Sequence, residues 1–179
     1  VSAINHANIR TTPPTVLGTV PTLDGVVIAA PTNLVLSRPT DGSIALSATW
    51  TDNSDNEEGF SLYTWKDGDA PTLNATVLAN MTSVPLSNVS PNTHINAYVV
   101  ATKQSQNSLP SNIASTTTWA QRPDWIATNP LVPHEKSITG FWTANGNPTG
   151  TRYTMELSTL NTFTPASIVQ SFDSVNTNA

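Results

Sequence analysis

The sequence predicts an all-β protein built from antiparallel β-sandwiches, and three observations support this fold class. Short segments with alternating apolar and polar residues recur along the chain, separated by turn-forming residues. No stretch of ten residues carries the apolar spacing of an amphipathic helix. The 179 residues include 14 Pro together with many Thr and Val, a composition that favours short strands and turns over helices.

The first strongly alternating segments are residues 43–50 and the segment that opens at Phe60. In the first, four residues share one face of the strand: Ile44, Leu46, Ala48 and Trp50. In the second, Phe60 and Leu62 point to one side, whereas Tyr63 and Trp65 point to the other. We therefore expect one face of each strand in a core, with a pair of aromatic rings on the outside.

Further strands are expected at near-regular spacing, in the segments 75–79, 83–86, 94–103 and 112–119. The longest of these carries an apolar row on alternate positions: Ile95, Ala97, Val99 and Ala101. Because each strand offers one face for burial, the pattern is that of two antiparallel sheets packed face to face.

The sequence also repeats itself, with a period of roughly 90 to 100 residues. Trp50 matches Trp142, 92 residues later, within two segments that align. Residues 1–20 align in the same way with residues 99–118. We therefore expect one complete unit and parts of two others, in residues 1–23, 31–120 and 123–179.

The predicted strands resemble those of the fibronectin type III family, especially its members in secreted prokaryotic proteins. The family letters its strands A to G. The residues that carry the resemblance are Pro31 and Leu34 in strand A, Trp50 in strand B, Phe60 in strand C, Leu86 and the sequence SPNT at 90–93 before strand F, Val99 and Ala101 in strand F, and the Ser/Thr-rich residues 112–118 in strand G. The connection WTDNSDNEEGF, residues 50–60, is also typical of the prokaryotic members.

The resemblance implies an immunoglobulin-like β-sandwich in tandem copies. It makes residues 31–120 a complete domain, residues 1–23 strands F and G of a preceding domain, and residues 123–179 strands A to C′ of a following one. Two alternatives would complete the partial domains: flanking sequence of a longer array, or strands exchanged between copies of the chain. The family usually ties the corner between strands E and F with a Tyr. Ile95 stands at that position, so the tie is expected to be missing.

The acidic connection between strands B and C has two interpretations. Asp52, Ser54, Asn56 and Glu58 alternate roughly as the oxygen ligands of a calcium loop do. However, Gly59 stands at the wrong place for such a loop, and the bidentate Glu expected further on is absent. We predict a turn in which Asp and Asn side chains bond to nearby backbone amides, and keep Asp52, Asn56 and Glu58 as weak metal candidates.

No arrangement of residues in the sequence indicates catalysis, and no cofactor is expected. The histidines His6, His94 and His134 are far apart, with no second ligand at a metal-binding spacing. Glu57 and Glu58 are adjacent and point apart, unlike the separated carboxylates of a glycosidase. Neither a GxSxG nucleophile elbow nor a phosphate-binding glycine loop is present. We therefore expect a protein that is not an enzyme.

Aromatic residues give two further predictions. Tyr63 and Trp65 from strand C and Tyr98 from strand F should share the outer face of one sheet. This group is either a contact surface for a partner or carbohydrate, or ordinary cross-strand packing. Trp119 and Trp125 flank the sequence AQRP at the join between two units. We expect both indoles to pack in that interdomain junction and to limit its bending.

Three Asn-x-Ser/Thr acceptor sequences make Asn74, Asn80 and Asn88 candidate sites of N-glycosylation. All three are expected in loops or at the margins of edge strands, where a glycan can be accommodated.

Charge and composition narrow the classes of function. Seven Lys and Arg against 12 Asp and Glu give a net charge of −5. The sequence therefore lacks the excess of basic residues that binds the phosphates of nucleic acid. No apolar run approaches the about 20 residues of a membrane-spanning helix, and the chain has no Cys.

We expect a non-enzymatic structural or adhesive protein, extracellular or at the cell surface. Its expected partners are neighbouring repeats or copies of itself, with carbohydrate or a cell-surface protein as further candidates. One alternative is a set of accessory spacer or binding domains of a secreted polysaccharide-degrading enzyme. Another is a receptor-type ligand-binding module.

Overall fold

The computed structural model describes residues 27–161, 163–165 and 168–175. The prediction for residues 1–23 lies outside these residues. Within them, the regular secondary structure consists of fourteen β-strands. The described part of the chain contains no helix with the length and apolarity that a membrane crossing requires.

The strands fall into two groups along the chain. The first group is β1 (Thr32–Ser37), β2 (Ser47–Thr51), β3 (Gly59–Lys66), β4 (Thr72–Leu78), β5 (Ser83–Pro85), β6 (His94–Lys103), β7 (Gln106–Asn107) and β8 (Ala114–Thr117). The second group is β9 (Asp124–Trp125), β10 (Leu131–Pro133), β11 (Ile138–Gly140), β12 (Trp142–Thr143), β13 (Arg152–Ser158) and β14 (Ile168–Val175).

The first group forms two antiparallel sheets. One has the strand order β1-β2-β5, and the other has the order β4-β3-β6-β7 with β8 also paired to β6. Between β3 and β6, Leu62 lies opposite Val99 and Tyr63 lies opposite Tyr98. In the family's lettering these sheets are A-B-E and C′-C-F-G. The predicted fibronectin type III-like β-sandwich is therefore confirmed.

The core lies between the two sheets and is lined by the predicted rows. Its buried apolar residues are Ile28, Leu34, Leu46, Ala48, Trp50, Phe60, Leu62, Leu86, Ile95, Ala97, Val99 and Ala101. The rings of Trp50 and Phe60 pack with centroids 5.5 Å apart and planes at 55°. Full burial of a Leu, Val or Phe side chain contributes about 1.5–3 kcal/mol, so these rows supply the main driving force for folding.

The corner between β5 and β6 is held by a threonine. Thr118 Oγ1 donates a hydrogen bond to the carbonyl of Ser90 at 2.6 Å and accepts one from the N–H of Thr93 at 2.9 Å. Ile95, at the position of the family's Tyr, is buried in the core as expected. The missing Tyr tie is thus replaced by a hydroxyl group from the segment that follows β8.

The second group of strands repeats pairings of the first. Thr32 pairs with Thr51 between β1 and β2, and Asp124 pairs with Thr143 between β9 and β12, with both positions 92 residues later. β13 and β14 then form an antiparallel hairpin, as β3 and β4 do, and β10 and β11 form another. The backbone therefore follows the sequence repeat at the level of individual residue pairs.

Side-chain contacts recur as well. Nδ2 of Asn53 donates to the carbonyl of Ala30 at 2.8 Å, and Nδ2 of Asn145 donates to the carbonyl of Arg122 at 2.8 Å. The counterpart of the Trp50–Phe60 ring pair has centroids 6.1 Å apart and planes at 60°, and is formed by Trp142 and Tyr153.

Leu62→Ala and Tyr63→Ala should differ clearly in their effect on stability, although the two residues are neighbours. Leu62 is fully buried, so its truncation leaves a cavity and should lower the free energy of unfolding by about 2–5 kcal/mol. Tyr63 points outward, and its loss removes cross-strand packing worth about 0.2–1 kcal/mol per pair. Urea unfolding followed by Trp fluorescence measures both changes. Equal losses would contradict the assignment of the two faces.

Candidate functional site: the aromatic face and the junction

Three aromatic side chains lie together on the outer surface of the larger sheet. β3 carries Tyr63 and Trp65, and β6 carries Tyr98. The rings of Tyr63 and Tyr98 stack, with centroids 5.1 Å apart and planes at 20°. The Trp65 ring lies 5.8 Å from that of Tyr98, with planes at 55°. These three residues, here named the aromatic face, are directed away from the core because side chains alternate along β3 and β6.

The aromatic face combines apolar rings with free polar atoms. Its three side chains are half-buried, and among the described residues neither tyrosine hydroxyl nor the Nε1 of Trp65 has a hydrogen-bond partner. Leu73, which pairs with Tyr63 on β4, is 55% exposed. Ile113, immediately before β8, is 65% exposed. An apolar body with a polar tip is what enriches Tyr and Trp at contact surfaces.

A surface cleft of about 470 Å³ adjoins the aromatic face at Trp65. Its other walls include the polar side chains of Lys66, Asp69, Thr72 and Asn88. Rings stack on the apolar faces of a ligand, and hydroxyl, amide and charged groups bond to its polar edge. The chemistry that this arrangement offers is binding.

The side chains of the acidic connection are engaged in hydrogen bonds within the protein. The N–H of Ser54 donates to Oδ1 of Asp52 at 3.0 Å, and Ser54 Oγ donates to Oδ1 of Asn56 at 3.0 Å. The N–H of Gln104 donates to Oε2 of Glu58 at 3.1 Å. Among the described residues, no three His, Cys, Asp or Glu side chains are grouped so that they could hold a metal ion. The weak metal candidates therefore take part in separate hydrogen bonds.

Glu57, beside these residues, has a structural role. It is buried, and its Oε1 accepts a hydrogen bond from the N–H of Asn80 at 3.2 Å. Burial raises the pKa of the Glu57 carboxyl, but hydrogen bonds from main-chain N–H groups, including that of Asn80, outweigh it and hold the pKa below its ordinary value. The carboxylate thus ties the connection between β2 and β3 to the turn after β4.

The two tryptophans predicted for the junction pack on either side of it. Nε1 of Trp119 donates to the carbonyl of Pro39 at 2.8 Å, and the ring lies 4.2 Å from the guanidinium of Arg38. Trp125 packs edge-on against Trp142, with ring centroids 6.5 Å apart. The expectation that both indoles pack at the junction and limit its bending stays a prediction. Each indole has its ring partner within its own group of strands.

Asparagine side chains make hydrogen bonds at the junction. Oδ1 of the buried Asn147 accepts from the N–H of Gln121 at 2.8 Å, and its Nδ2 donates to the carbonyl of Gln121 at 2.7 Å. Nδ2 of Asn92, in the turn before β6, donates to Oγ1 of Thr151, before β13, at 3.0 Å. Sequence reasoning missed these residues, because their only signal was the high Asn content.

A second cavity, of about 300 Å³, opens between the strands after β8. Its walls include Trp125, Trp142, Tyr153 and Met155. Trp142 is half-buried, whereas its counterpart Trp50 is 6% exposed. Trp50 and the apolar row of β6 belong to the same core. Within the described residues, β13 pairs with β14 alone.

The three acceptor asparagines lie near the edge strands β4 and β5. Asn74 lies within β4 rather than in a loop, and its side chain is bonded to Ser87. Asn80 follows β4 and Asn88 follows β5, and both are exposed.

Strand order and register define a fibronectin type III-like β-sandwich protein, and solved structures similar to it are known. An Fn3-like protein from Clostridium thermocellum is 22% identical, with 50% of this chain and 91% of the other covered and a TM-score of 0.43. The FN1–FN3 domains of chicken CNTN1 are 23% identical, with 51% of this chain and 32% of the other covered and a TM-score of 0.46. A β-1,2-glucanase from Parabacteroides distasonis is 18% identical, with 53% of this chain and 14% of the other covered and a TM-score of 0.43. No family model and no curated protein matches the sequence.

Acid should destabilise the protein partly through Glu57. Its pKa is lower in the folded protein than the value of 4.5 for a free side chain, so the carboxylate adds stability above that value. This stability is lost as the pH falls through the folded pKa. We expect Glu57→Gln to lower the free energy of unfolding by about 1 kcal/mol at neutral pH, and to lose less stability than the unmodified chain on acidification. Urea unfolding at neutral and acid pH measures this, with the exposed Glu135→Gln as control. An unchanged pH dependence would refute the role of Glu57.

The junction should bend more freely when the amide of Asn92 is removed. Asn92 has a positive φ of 44°, so Asn92→Gly deletes the bond to Thr151 while keeping a residue that tolerates this backbone conformation. Small-angle X-ray scattering should show a broader distribution of maximum dimensions. Asn129→Gly is the matched control, because Asn129 also has a positive φ, 51°, and its exposed side chain has no partner among the described residues. If both variants give identical scattering curves, the bond between Asn92 and Thr151 does not restrain bending between the two groups of strands.

Proposed function

We propose that the chain is a non-catalytic part of a row of fibronectin type III-like sandwiches in an extracellular or cell-surface structural protein. In this role the row of sandwiches spaces other parts of the protein, stiffens it or adheres to a surface. Its partners are neighbouring repeats or copies of itself.

The observation that carries this proposal is the recurrence of the same contacts in both groups of strands. The Asn53 bond to Ala30 and the Asn145 bond to Arg122 each fix the segment that leads into the first strand of a group. Only a short segment separates β8 from β9, and Gln121 within it is bonded through both its N–H and its carbonyl. A bonded connection of this kind favours a stiff row over freely jointed domains.

The open cavity after β8 supports a neighbour as the partner. Trp142 lines this cavity, whereas its counterpart Trp50 lies in the core that contains the apolar row of β6. Strands of the F and G type would close it, whether from a neighbouring repeat or from another copy of the chain.

The aromatic face supports an adhesive role within such a row. The exposed Leu73 and Ile113 extend the apolar surface around Tyr63, Trp65 and Tyr98. Because only 11% of the residues are charged, rings, hydroxyls and amides rather than ion pairs would make most contacts with a partner.

A second candidate function is that of an accessory domain of a secreted polysaccharide-degrading enzyme. The free polar atoms of the aromatic face and the cleft beside Trp65 favour it, because stacking combined with hydrogen bonds suits a sugar chain.

Electron microscopy of the protein isolated from the cells that make it separates the two candidates. Regular fibres or a surface array would support the structural role. Dispersed molecules that sediment with insoluble cellulose or chitin would overturn it in favour of the accessory role.

For the accessory role, Trp65→Ala should weaken sedimentation with cellulose or chitin by about tenfold, the loss expected for one stacked ring. Trp125→Ala is the matched control, since Trp125 is an exposed indole outside the aromatic face. Equal binding by both variants would remove the aromatic face from consideration as a carbohydrate site.

A further inference from the structure

The edges of the two sheets meet on one side of the sandwich. β4 is the edge strand of the larger sheet and β5 is the edge strand of the smaller one. Asn74 on β4 bonds to Ser87, two residues after β5, so the two edges lie side by side. Edge strands expose unpaired N–H and C=O groups that can pair with another chain.

Asn74 begins an acceptor sequence, but both N–H groups and the oxygen of its side-chain amide already have hydrogen-bond partners. Its Nδ2 donates to the carbonyl of Ser87 at 3.0 Å and to Oγ1 of Thr64 at 3.2 Å. Its Oδ1 accepts from the N–H of Ser87 at 3.1 Å. Both N–H groups of the amide are thus bonded within the protein, and a glycan on Nδ2 would have to replace one of these bonds.

Asn80 and Asn88 present the opposite situation. Both are exposed and lie in turns, with positive φ values of 63° and 54° that Asn tolerates. Neither side-chain amide has a hydrogen-bond partner among the described residues. Their sequences, Asn80-Met81-Thr82 and Asn88-Val89-Ser90, are complete acceptor sequences.

We propose that Asn80 and Asn88 carry N-linked glycans and that Asn74 does not. The donor is a sugar chain held on a lipid phosphate. Nδ2 attacks the anomeric carbon, so that a carbon–nitrogen bond forms and the bond from that carbon to the phosphate oxygen breaks. The lipid phosphate leaves with the electron pair, and Nδ2 gives up one proton.

Glycans at these two positions would flank the open edges. Asn80 lies just beyond the end of β4, and Asn88 lies three residues beyond the end of β5. A hydrated chain at each point covers backbone that would otherwise be available for pairing, as edge charges do in other sheets. This matters in a chain with only seven Lys and Arg in total. The inference rests on the extracellular location in the proposed function, whereas the choice among the three asparagines rests on the contacts on this side of the sandwich.

Mass spectrometry of peptides from the protein isolated from the cells that make it tests the proposal. The expected result is a sugar mass on the peptides that contain Asn80 and Asn88, with the Asn74 peptide unmodified. A sugar-free peptide at either Asn80 or Asn88, or a modified Asn74, would overturn it.

A second measurement tests whether the fold makes the selection. The folded, unmodified chain is incubated with a purified oligosaccharyltransferase and its lipid-linked sugar, and compared with the same chain kept unfolded by urea at a concentration that the enzyme tolerates. In the folded chain, modification of Asn74 should be at least about tenfold slower than that of Asn80 and Asn88. The unfolded chain should be modified at all three positions, which shows that the Asn74 sequence is itself a substrate. Equal rates at all three positions in the folded chain would refute selection by the fold.

Discussion

The pairing of β3 with β6 is the constraint on which the sandwich depends. Its register sets Leu62 opposite Val99 on the inside and Tyr63 opposite Tyr98 on the outside. Because side chains alternate, a slip of one residue would exchange the two faces and bring the aromatic rings into the core. Each inner side chain contributes about 1.5–3 kcal/mol on burial, whereas an aromatic pair adds about 0.5–1.5 kcal/mol. The core therefore selects the register, and the aromatic face follows from it.

Asparagine side chains satisfy main-chain groups where no neighbouring strand does so. Asn112 accepts from the N–H of Leu34 at 2.9 Å and donates to its carbonyl at 3.0 Å, which joins the segment before β8 to β1. Asn147 binds Gln121 in the same two-sided way. A neutral amide can replace a peptide group without the desolvation penalty of a charge. A chain with many Asn and few charged residues is suited to this kind of internal bonding.

The sequence was sufficient to predict the core and the aromatic face, because both depend on the two-residue period of a strand. It was not sufficient for contacts that join distant positions. Asn112 and Leu34 are 78 residues apart, and no local pattern pairs them. The contacts of Trp119 also join distant positions: its ring lies over Arg38, and its Nε1 donates a hydrogen bond to the carbonyl of Pro39.

The second group of strands shows what β6 contributes to a sandwich. It reproduces the first pairing, the asparagine bond and the ring pair of its predecessor, so those features depend on local sequence. Its cavity stays open, because within the described residues no strand equivalent to β6 lies against β13. Local sequence thus builds the frame of the sandwich, but the apolar row of a strand from further along the chain closes it. The stability of such a unit is then linked to whatever supplies that row.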